Sequence, residues 1–253
     1  MGKVISVSNQ KGGVGKTTTC ISLCAALTEL GVKTLLCDMD PQSNATSGMG
    51  VSKDKNINSI YNVLIEGADA FGAIKTTPYG DILPSSKIMS GAGVELVMMA
   101  GREYILKNVL HNVKDKYDFI FIDCPPSLEM LTLNSLCAAE TVLIPVQCEY
   151  FALEGLSDLM STLRMIKKNL NPSLEVEGVL LTMYDSRTNL SSQITVEIKK
   201  YFKEKTYGVA IPRSVRIAEA PSHGKPVMFY DRASRGSLAY QELAKEFLKR
   251  NGK

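Results

Sequence analysis

The sequence predicts a single α/β domain with a doubly wound, mainly parallel sheet, and three observations lead to this fold class. Runs of continuous Val, Ile and Leu alternate with amphipathic segments, as expected for strands that helices cover on both faces. The 253 residues suit one large domain better than two. A glycine-rich stretch lies between the first apolar run and the first amphipathic segment, so a ligand is expected at the carboxyl ends of the strands.

The first predicted elements follow directly from the apolar pattern. Residues 3–9 (KVISVSN) form an apolar run and predict the first strand. A helix is predicted over residues 16–31, where Gly31 occupies the C-cap position that favours glycine. Residues 33–40 (KTLLCDMD) predict a second, buried strand, and the polar residues 41–50 that follow it predict a loop.

The pattern is least regular between about residues 50 and 100, where glycines interrupt short apolar runs. Within this region, residues 80–86 and 94–99 are predicted as short strands. Helical spacing of apolar residues then predicts a helix over 102–116. The apolar run at 117–126 predicts a strand that two prolines end.

The second half of the chain continues this alternation. Apolar residues recur at helical spacing in its longer segments, and its shorter runs are rich in Val, Ile and Leu. The predicted elements are a strand at 141–147, a helix at 153–170, a strand at 174–185, a helix at 191–205, a strand at 208–213 and a helix at 234–250.

Composition argues against several classes of protein. The hydrophobic share of 45% and the charged share of 22% are typical of a soluble globular chain. No apolar run approaches the roughly 18–20 residues that cross a bilayer, and no secretory pattern is found. The first residues fit a myristoylation pattern, but Gly2 leads directly into the first predicted strand. We therefore expect a cytoplasmic protein.

The six cysteines point to a reduced protein with buried thiols. None forms a C-x-x-C pair, and most lie within apolar segments. Cys20 and Cys24 are one helical turn apart, but the sequence offers no further ligands for a metal site beside them.

Charge is distributed unevenly along the chain, whose formal net charge is +3. The segment from Arg187 to Lys253 has 14 basic and 6 acidic residues, a net charge of +8, while the preceding residues sum to −5. This basic third predicts a polyanionic partner. The alternative is the ordinary solvated surface of its helices.

The glycine-rich stretch SNQKGGVGKTTT, from Ser8 to Thr19, has the chemistry of a phosphate-binding loop. Its glycines let the backbone bend tightly and approach an anion without interference from Cβ atoms. Because it joins a predicted strand to a predicted helix, its N–H groups are expected to face phosphates. The expected nucleotide-binding residues are Gly12, Gly13, Val14 and Gly15, with Lys16 for the β- and γ-phosphates, Thr17 for Mg²⁺ and Thr18 for the α-phosphate.

One position departs from the general loop pattern G-x-x-x-x-G-K-[ST]. The pattern places glycine at position 10, where this chain has Gln10, and the next residue is a second lysine, Lys11. The residues alone leave two alternatives for Lys11, an ion pair at the surface or a contact with the nucleotide.

Three aspartates stand at the ends of two predicted strands. Asp123 follows the apolar run FIFI, as the acid of a Walker B strand does, and Asp38 and Asp40 lie two residues apart on one strand face. A lone aspartate at a strand end often only caps a turn, but three beside a phosphate loop indicate one site. We predict Asp38 and Asp123 as metal-binding residues and Asp40 as the residue that orients the attacking water.

Six blocks of sequence resemble the ParA/Soj chromosome-partitioning ATPases, which are P-loop NTPases of the deviant Walker A type and relatives of MinD. The resemblance covers essentially the whole chain. It implies one ParA-type ATPase domain over residues 1–253, without an N-terminal helix-turn-helix extension, and ATP and Mg²⁺ as cofactors. In chain order the blocks are NQKGGVGKTTT, DMDPQSNATSGMG, FIFIDCPPSL, PVQCEYFALEGL, LLTMYDSRTNL and RIAEAPSHGKPV.

The resemblance also implies a role for the second lysine. In the family, the signature lysine of the deviant loop, matched here by Lys11, reaches across a face-to-face homodimer to the phosphates of the other subunit's ATP. A cation delivered in this way stabilises charge on the transferred phosphoryl group. Gly12 would lie where the two loops meet, Asp40 matches the aspartate needed for hydrolysis, Asp123 matches the Walker B acid, and residues 125–128 match a switch segment.

The final third is expected to contact adenine and DNA. The segment IPRSVR resembles the one that borders adenine, which implicates Pro212 and Ser214; many members have asparagine in place of Ser214, so backbone contacts are expected. The family binds DNA without sequence preference as the ATP dimer, and binding through phosphates weakens with salt. The expected DNA-binding residues are Arg187 and Arg216 above all, with Arg213, Lys225 and Arg235, and Arg232 lies in the same region.

The expected function is that of a dimerising switch ATPase in chromosome or plasmid partitioning, associated with the nucleoid. Its slow hydrolysis would be stimulated by a ParB/Spo0J-type partner. One alternative is a MinD-like membrane switch, because Leu243, Phe247 and Leu248 share a face of the closing helix. Packing of that helix on the domain explains the same pattern, and we expect no stable membrane anchor. The nitrogenase iron protein is a second alternative, but its cluster motifs are not found around Cys124 or Cys137.

Overall fold

The computed structural model describes residues 2–54, 57–149 and 151–253. Met1, Lys55, Asn56 and Tyr150, which fall within the predicted domain of residues 1–253, lie outside the described residues. The strands are β1 (Lys3–Val7), β2 (Thr34–Asp38), β3 (Lys75–Thr77), β4 (Gly80–Leu83), β5 (Phe119–Asp123), β6 (Thr141–Gln147) and β7 (Glu175–Thr182). The α-helices are α1 (Lys16–Glu29), α2 (Asn44–Gly48), α3 (Ile60–Ile65), α4 (Ala70–Ala73), α5 (Met89–Val97), α6 (Ile105–Val113), α7 (Met130–Ala138), α8 (Ala152–Asn169), α9 (Asn189–Phe202), α10 (Val215–Glu219), α11 (Val227–Tyr230) and α12 (Arg235–Arg250).

The seven strands form one sheet in the order β3-β4-β2-β5-β1-β6-β7. All neighbouring strands are parallel except β3 and β4, which pair antiparallel at one edge. Parallel strands need crossover connections, and helices supply them on both faces of this sheet. The predicted doubly wound, mainly parallel fold is therefore confirmed.

Two apolar clusters cover the two faces of the sheet. On one face, α1 and α12 pack against the central strands, and the ring of Phe247 lies 4.9 Å from that of Phe119 and 5.6 Å from that of Phe121. On the other face, α3 to α9 supply the buried residues. Central strands buried on both sides explain why their sequences are continuous apolar runs rather than alternating ones.

Two predicted strands are wrong. Residues 94–99 belong to α5 and the residues after it, because Met89, Ala92 and Leu96 recur at helical spacing and are the buried positions. Residues 208–213 form no strand. An isolated bridge between Tyr184 and Pro212 joins this segment to the residues that follow β7. Backbone bonds from Ile211 to the Leu181 carbonyl and from Arg213 to the Tyr184 carbonyl hold the segment beside β7 without forming a continuous ladder.

Further segments also differ from the predictions, and β3, α3, α4, α10 and α11 lie where no element was predicted. The predicted loop at 41–50 contains the short helix α2, whose residues Ala45 and Thr46 are buried. Helix α7 was not predicted, although most of its residues are buried beneath the sheet. Its apolar and small residues have no polar face, so helical periodicity is weak there.

The closing helix α12 packs on the domain. Tyr240, Leu243, Ala244 and Phe247 are buried against the face that α1 covers. The apolar face of this helix is therefore occupied by the protein's own core.

Candidate functional site

The phosphate loop and two of the predicted aspartates meet at one edge of the sheet. Strands β2, β5 and β1 lie side by side, and the register pairs Asp123 with Asp38 on one side and with Val7 on the other. The carboxyl ends of the three strands therefore coincide. The loop that follows Val7 begins beside both carboxylates, as expected for a ligand site of an open α/β sheet.

The glycines of the loop between β1 and α1 differ in whether the subunit's own fold requires them. Gly13 and Gly15 have φ angles of 74° and 90°, in the left-handed region that favours glycine. Gly12 has no such angle, and a Cβ atom at this position would meet nothing within 4 Å. The subunit's own fold therefore does not require glycine at position 12.

Lys16 lies inside the loop. Its side chain is buried, and Nζ donates a hydrogen bond to the carbonyl oxygen of Lys11 at 3.0 Å. Burial lowers the pKa of this amine, and the nearby charge of Asp123 acts in the opposite direction. The Lys16 amine is thus held within the loop by a backbone carbonyl.

The side chain of Lys11 has its partner outside the loop. Its Nζ forms an ion pair with Oε2 of Glu149 at 2.8 Å, and both side chains are partly exposed. The structure thus gives the first of the two alternatives for Lys11, an ion pair at the surface of the isolated subunit. The two lysines of the loop consequently have different partners and different burial.

Asp38 is held by hydrogen bonds from the segment that follows it. Its Oδ2 accepts from the Thr46 hydroxyl at 2.6 Å and from the Thr46 N–H at 2.8 Å, and its Oδ1 accepts from the Asp40 N–H at 3.2 Å. Burial raises the pKa of Asp38 to about 6, although the bonds from Thr46 lower it in part. Both carboxylate oxygens are therefore engaged within the protein.

Asp40 is fixed through its backbone as well as its side chain. Its Oδ1 accepts from the Gln42 N–H at 2.9 Å, and its carbonyl oxygen accepts from the Ser85 hydroxyl at 2.9 Å. Ser85 also donates its N–H to the Thr46 hydroxyl oxygen at 2.8 Å. One network consequently links Asp38, Asp40 and the segment that follows β4.

Asp123 differs from the other two aspartates because one of its carboxylate oxygens is buried and accepts no hydrogen bond from the described residues. Its Oδ1 accepts a weak bond from the Cys20 thiol at 3.7 Å, whereas its Oδ2 is buried and has no hydrogen-bond partner in the described part of the chain. Burial is the main cause that raises the pKa of Asp123, the charge of Asp38 adds to it, and the Thr17 hydroxyl lowers it in part. A buried oxygen without a partner calls for a bound group.

A mostly apolar cavity of about 300 Å³ adjoins the loop. Gly15 and Thr18 line it from the loop, and Pro212, Ser214 and Tyr240 line it from the last third of the chain. The structure thus brings the two residues predicted to border a base to the same cavity as the start of α1. A flat apolar ring fits such a cavity.

The predicted DNA-binding residues divide into paired and unpaired groups. Arg187 binds Asp185 through two nitrogens at 2.9 and 2.7 Å, and Arg216 pairs with Glu219 at 3.1 Å and with Asp231 at 3.2 Å. Arg232, likewise, pairs with a glutamate of α1 at 3.0 Å. Among the described residues, the side chains of Arg213, Lys225 and Arg235 have no ion-pair partner.

A second cavity, of about 590 Å³, gathers several of these arginines. Arg187, Arg213 and Arg235 line it together with Asp185. Lys225 and Arg216 do not line it. This cavity shares the wall formed by Pro212 and Arg213 with the apolar cavity beside the phosphate loop.

Sequence reasoning missed Thr46, Ser85 and Glu149. The first two are polar residues in segments predicted as a loop and a strand, and only folding brings them to Asp38 and Asp40. Glu149 lies within a block that carries the family resemblance, two residues after a predicted strand. That position at a strand end is the one signal that could have pointed to it.

Other classes of site are sparse in the described ranges. No group of three or more His, Cys, Asp or Glu side chains there is placed to hold a metal ion. None of the described helices is both long and apolar enough to span a bilayer. All six cysteines are free and buried, which confirms the prediction of buried thiols.

Comparison with known proteins gives relatives that match nearly the whole chain. The profile of the family described as an AAA domain matches residues 2–176. The chain is 53% identical to the sporulation initiation inhibitor protein Soj of Bacillus subtilis, over 97% of this chain and 98% of that protein. It is 48% identical to the chromosome partitioning protein ParA of Myxococcus xanthus, over 99% of this chain and 89% of that protein.

Solved structures show the same fold. The crystal structure of cobyrinic acid a,c-diamide synthase from Mycobacterium smegmatis, with bound ADP and magnesium, has a TM-score of 0.87 and 37% identity over 100% of this chain and 96% of that one. The cell division ATPase MinD of Pyrococcus furiosus has a TM-score of 0.82 and 29% identity over 98% and 99%. With the family profile covering most of its length and near-full-length relatives at this level of identity, the chain belongs to the AAA-domain family, and within it to the Soj/ParA chromosome-partitioning ATPases.

Proposed function

We propose that this protein is an ATP-dependent switch of chromosome or plasmid partitioning, built as a single domain over residues 1–253. It binds ATP with Mg²⁺, forms a homodimer, binds DNA without sequence preference and leaves the DNA after hydrolysis. The observation that carries the proposal is the convergence of the phosphate loop with Asp38, Asp40 and Asp123 at the ends of β1, β2 and β5. Strand, loop, helix and strand-end acids in this arrangement are the parts of a P-loop ATPase.

Sequence identity favours partitioning over the diamide synthase activity for which the mycobacterial protein is named. The Soj and ParA relatives are 45–53% identical to this chain, compared with 37% for the mycobacterial protein. The mycobacterial structure contains ADP and magnesium, which supports nucleotide binding at the equivalent edge of the sheet here.

The residues present fit a magnesium ion that is held partly by the nucleotide. The unpartnered Oδ2 of Asp123 and the hydroxyl of Thr17 are oxygen donors of the kind Mg²⁺ prefers. Both carboxylate oxygens of Asp38 already accept hydrogen bonds, so Asp38 would lie beyond the direct ligands of the ion. When bound, the ion neutralises charge on the β- and γ-phosphates. The small number of protein donors agrees with a site that substrate phosphates complete.

The roles of the remaining residues follow from their positions. The backbone N–H groups of Gly13 to Lys16 face the phosphates, and the Lys16 amine exchanges its bond to a backbone carbonyl for the β- and γ-phosphates. Thr18 and the apolar cavity hold the α-phosphate and the base, with Pro212 and Ser214 at its rim. The Asp40 carboxylate orients the attacking water.

Gly12 and Lys11 make the contacts between the two subunits of the dimer. Since the fold leaves open space around Gly12, a glycine is needed there only if another molecule approaches closely. The close approach of a second phosphate loop meets that need. The Lys11 side chain then leaves Glu149 of its own subunit. It contacts the triphosphate bound to the other subunit, as an arginine finger does.

DNA is the proposed target of the dimer. Two subunits present twice the basic surface of one, so the dimer binds a polyanion more tightly than the monomer does. Arg187, Arg213, Arg216, Lys225 and Arg235 supply this surface, and a ParB/Spo0J-type partner stimulates hydrolysis and release. The protein is then cytoplasmic and associated with the nucleoid.

The burial of α12 supports DNA over a membrane as the target. A helix that anchors a protein in a lipid surface must expose its apolar face. Here Leu243 and Phe247 are buried against the sheet and α1.

Co-sedimentation of the Asp40→Ala variant tests this proposal. The variant should bind ATP, accumulate as a dimer and hydrolyse slowly, because it lacks the group that orients water. With ATP but not ADP it should sediment with duplex DNA, less so as salt is raised, and not with anionic liposomes. Binding to liposomes without DNA would support the membrane switch, and rapid turnover by the variant would contradict the role of Asp40.

A further inference from the structure

Glu149 binds the Lys11 amine within the subunit. The two side chains are joined at 2.8 Å, across 138 positions of sequence, and each retains partial access to solvent. Glu149 follows the end of β6, and Lys11 follows the end of β1, so the neighbouring strands deliver the two groups to the same edge of the sheet.

The surrounding bonds hold both partners in place. The Gln147 amide donates to Oε1 of Glu149, and the Glu149 N–H donates to the Gln147 carbonyl oxygen at 2.8 Å. On the other side, the Lys11 N–H donates to Oδ1 of Asn9 at 3.0 Å, and the Asn9 amide donates to the Pro145 carbonyl oxygen at 2.8 Å. The backbone on each side of the ion pair is thus tied to β6. The pair is a positioned contact and not a chance meeting of two long side chains.

We infer that Glu149 is a specificity-determining residue that makes subunit pairing selective for ATP over ADP. The inference rests on the proposed function, in which Lys11 contacts the triphosphate of a second subunit. Glu149 competes for the same amine within its own subunit. An incoming triphosphate offers more negative charge than a diphosphate, and its γ-phosphate extends farther toward the facing subunit. Only the triphosphate therefore displaces Glu149.

The expected size of the effect follows from the exposure of the pair. A partly exposed ion pair changes an equilibrium by up to about five-fold. Two such pairs open when one symmetric dimer forms, so their effects multiply. Loss of the carboxylate should therefore lower the dissociation constant of the ATP dimer by roughly 2- to 30-fold. Selectivity against ADP should weaken because no acid then holds Lys11 in the ADP-bound subunit.

The first arm of the test examines the ion pair in the nucleotide-free protein. Acylation of Lys11 by a water-soluble amine reagent is followed by peptide mass spectrometry in the wild-type chain and in Glu149→Gln. The rate should rise about two- to five-fold in the variant, because the amine loses the carboxylate that occupies it in the free subunit. Lys245, which pairs with Glu242 at 2.7 Å, serves as the internal reference. An unchanged Lys11 rate overturns the inference.

The second arm measures pairing itself. Dimer formation with a slowly hydrolysed ATP analogue and with ADP is followed by light scattering after size exclusion. Glu149→Gln should dimerise at lower concentration with the analogue and show measurable dimer with ADP, whereas Glu149→Asp, which retains the acid, should behave more like the wild type. Glu154→Gln is the matched control, since it removes the same charge from the exposed first turn of α8. An equal effect in Glu154→Gln would show a general charge effect and overturn the specific role of Glu149.

The two arms separate failure of the inference from failure of the proposed function. A wild-type chain that never dimerises with the analogue contradicts the proposed function, and the selectivity assigned to Glu149 fails with it. A wild-type chain that dimerises normally while Glu149→Gln keeps its full ATP selectivity contradicts only the inference.

Discussion

At the scale of single residues, the strand-end acids are held in place by side chains from other segments of the chain. Thr46 donates to Asp38 through both its hydroxyl and its N–H, and Ser85 joins Thr46 to the carbonyl of Asp40. The two strand-end acids are thereby fixed relative to each other. Their network is buried, so water cannot replace a lost partner.

Replacement of Thr46 by valine tests this network. Thr46→Val keeps the shape of the side chain but removes a donor to Asp38 and an acceptor for the Ser85 N–H. We expect kcat to fall roughly ten-fold or more, with a much smaller change in KM for ATP, because Asp40 is displaced while the phosphate loop is intact. The free energy of unfolding should fall by about 1–3 kcal/mol.

Thr46→Ser is the matched control, because serine retains the hydroxyl. Steady-state ATPase kinetics and urea unfolding of both variants give the comparison. Equal losses of kcat in the two variants would mean that the methyl group, and not the hydrogen bonds, is what matters at this position.

At the scale of elements, the two ends of the described chain are joined at the amino edge of the sheet, opposite the site. Lys3 of β1 pairs with Glu177 of β7 at 2.5 Å and donates to Asn251, after α12, at 2.7 Å. Asn251 in turn donates to the other oxygen of Glu177 at 2.9 Å. This trio ties the end of α12 to β1 and β7.

Glu177→Gln should weaken this junction in a pH-dependent way. Burial raises the pKa of Glu177, but the bonds from Lys3 and Asn251 outweigh burial and hold the pKa below its ordinary value of 4.5. A lowered pKa gives stability that is present above pH 4.5 and is lost as pH falls through the folded-state pKa. The variant should be less stable than the wild type by about 2–4 kcal/mol near pH 7, with a smaller difference below about pH 4.

Urea unfolding across this pH range measures the difference. Glu175→Gln is the control, since Glu175 lies on the same strand and pairs with Lys167 at an exposed position. A wild-type advantage that stays constant down to about pH 3.5 would mean that the Glu177 charge does not contribute.

At the scale of the whole molecule, the apolar cavity beside the phosphate loop and the arginine-lined cavity are neighbours. Pro212 and Arg213 line both, and the Arg213 N–H donates to the Tyr184 carbonyl oxygen at 3.3 Å, which ties this segment to the end of β7. Arg187, Arg213 and Arg235 of the basic third thus lie at the same end of the sheet as the phosphate loop. A surface for DNA here would lie close to the nucleotide whose state it reports.

Charge reversal of the unpaired arginines should affect DNA binding most. Arg213→Glu and Arg235→Glu should each form the ATP dimer and lose about ten-fold or more in DNA affinity, with a salt slope lower by about 2, since each substitution removes two phosphate contacts per dimer. Arg216→Ala should lose less, because Glu219 and Asp231 already neutralise part of its charge.

Fluorescence anisotropy with duplex DNA at several salt concentrations checks the order of these effects. Lys245→Glu on the exposed face of α12 is the control for overall charge. If Arg216→Ala weakens binding more than Arg213→Glu does, then the salt bridges of Arg216 open on DNA and the surface is centred on α10.

Much of the site could be predicted because its parts are local in sequence. The phosphate loop is contiguous, and each strand-end aspartate directly follows its own apolar run, so order and spacing were enough to bring Asp38 and Asp123 together. Residues 94–99 were assigned wrongly because a short apolar run fits a strand and a buried helix equally well. The segment at 208–213 was assigned wrongly because its pairing depends on Pro212 and on the neighbouring end of β7.

The sequence by itself determined most strands of the sheet, the glycine-rich loop after β1 and the acids at the ends of β2 and β5, because buried parallel strands and glycine-rich loops impose their pattern on consecutive residues. Only the tertiary structure decided which side chains hold those residues in place: Thr46 and Ser85 for the acids and Glu149 for Lys11. Partners such as Lys11 and Glu149 lie 138 positions apart. Their contact depends on which strands become neighbours, and that is a property of the whole sheet that no local pattern contains.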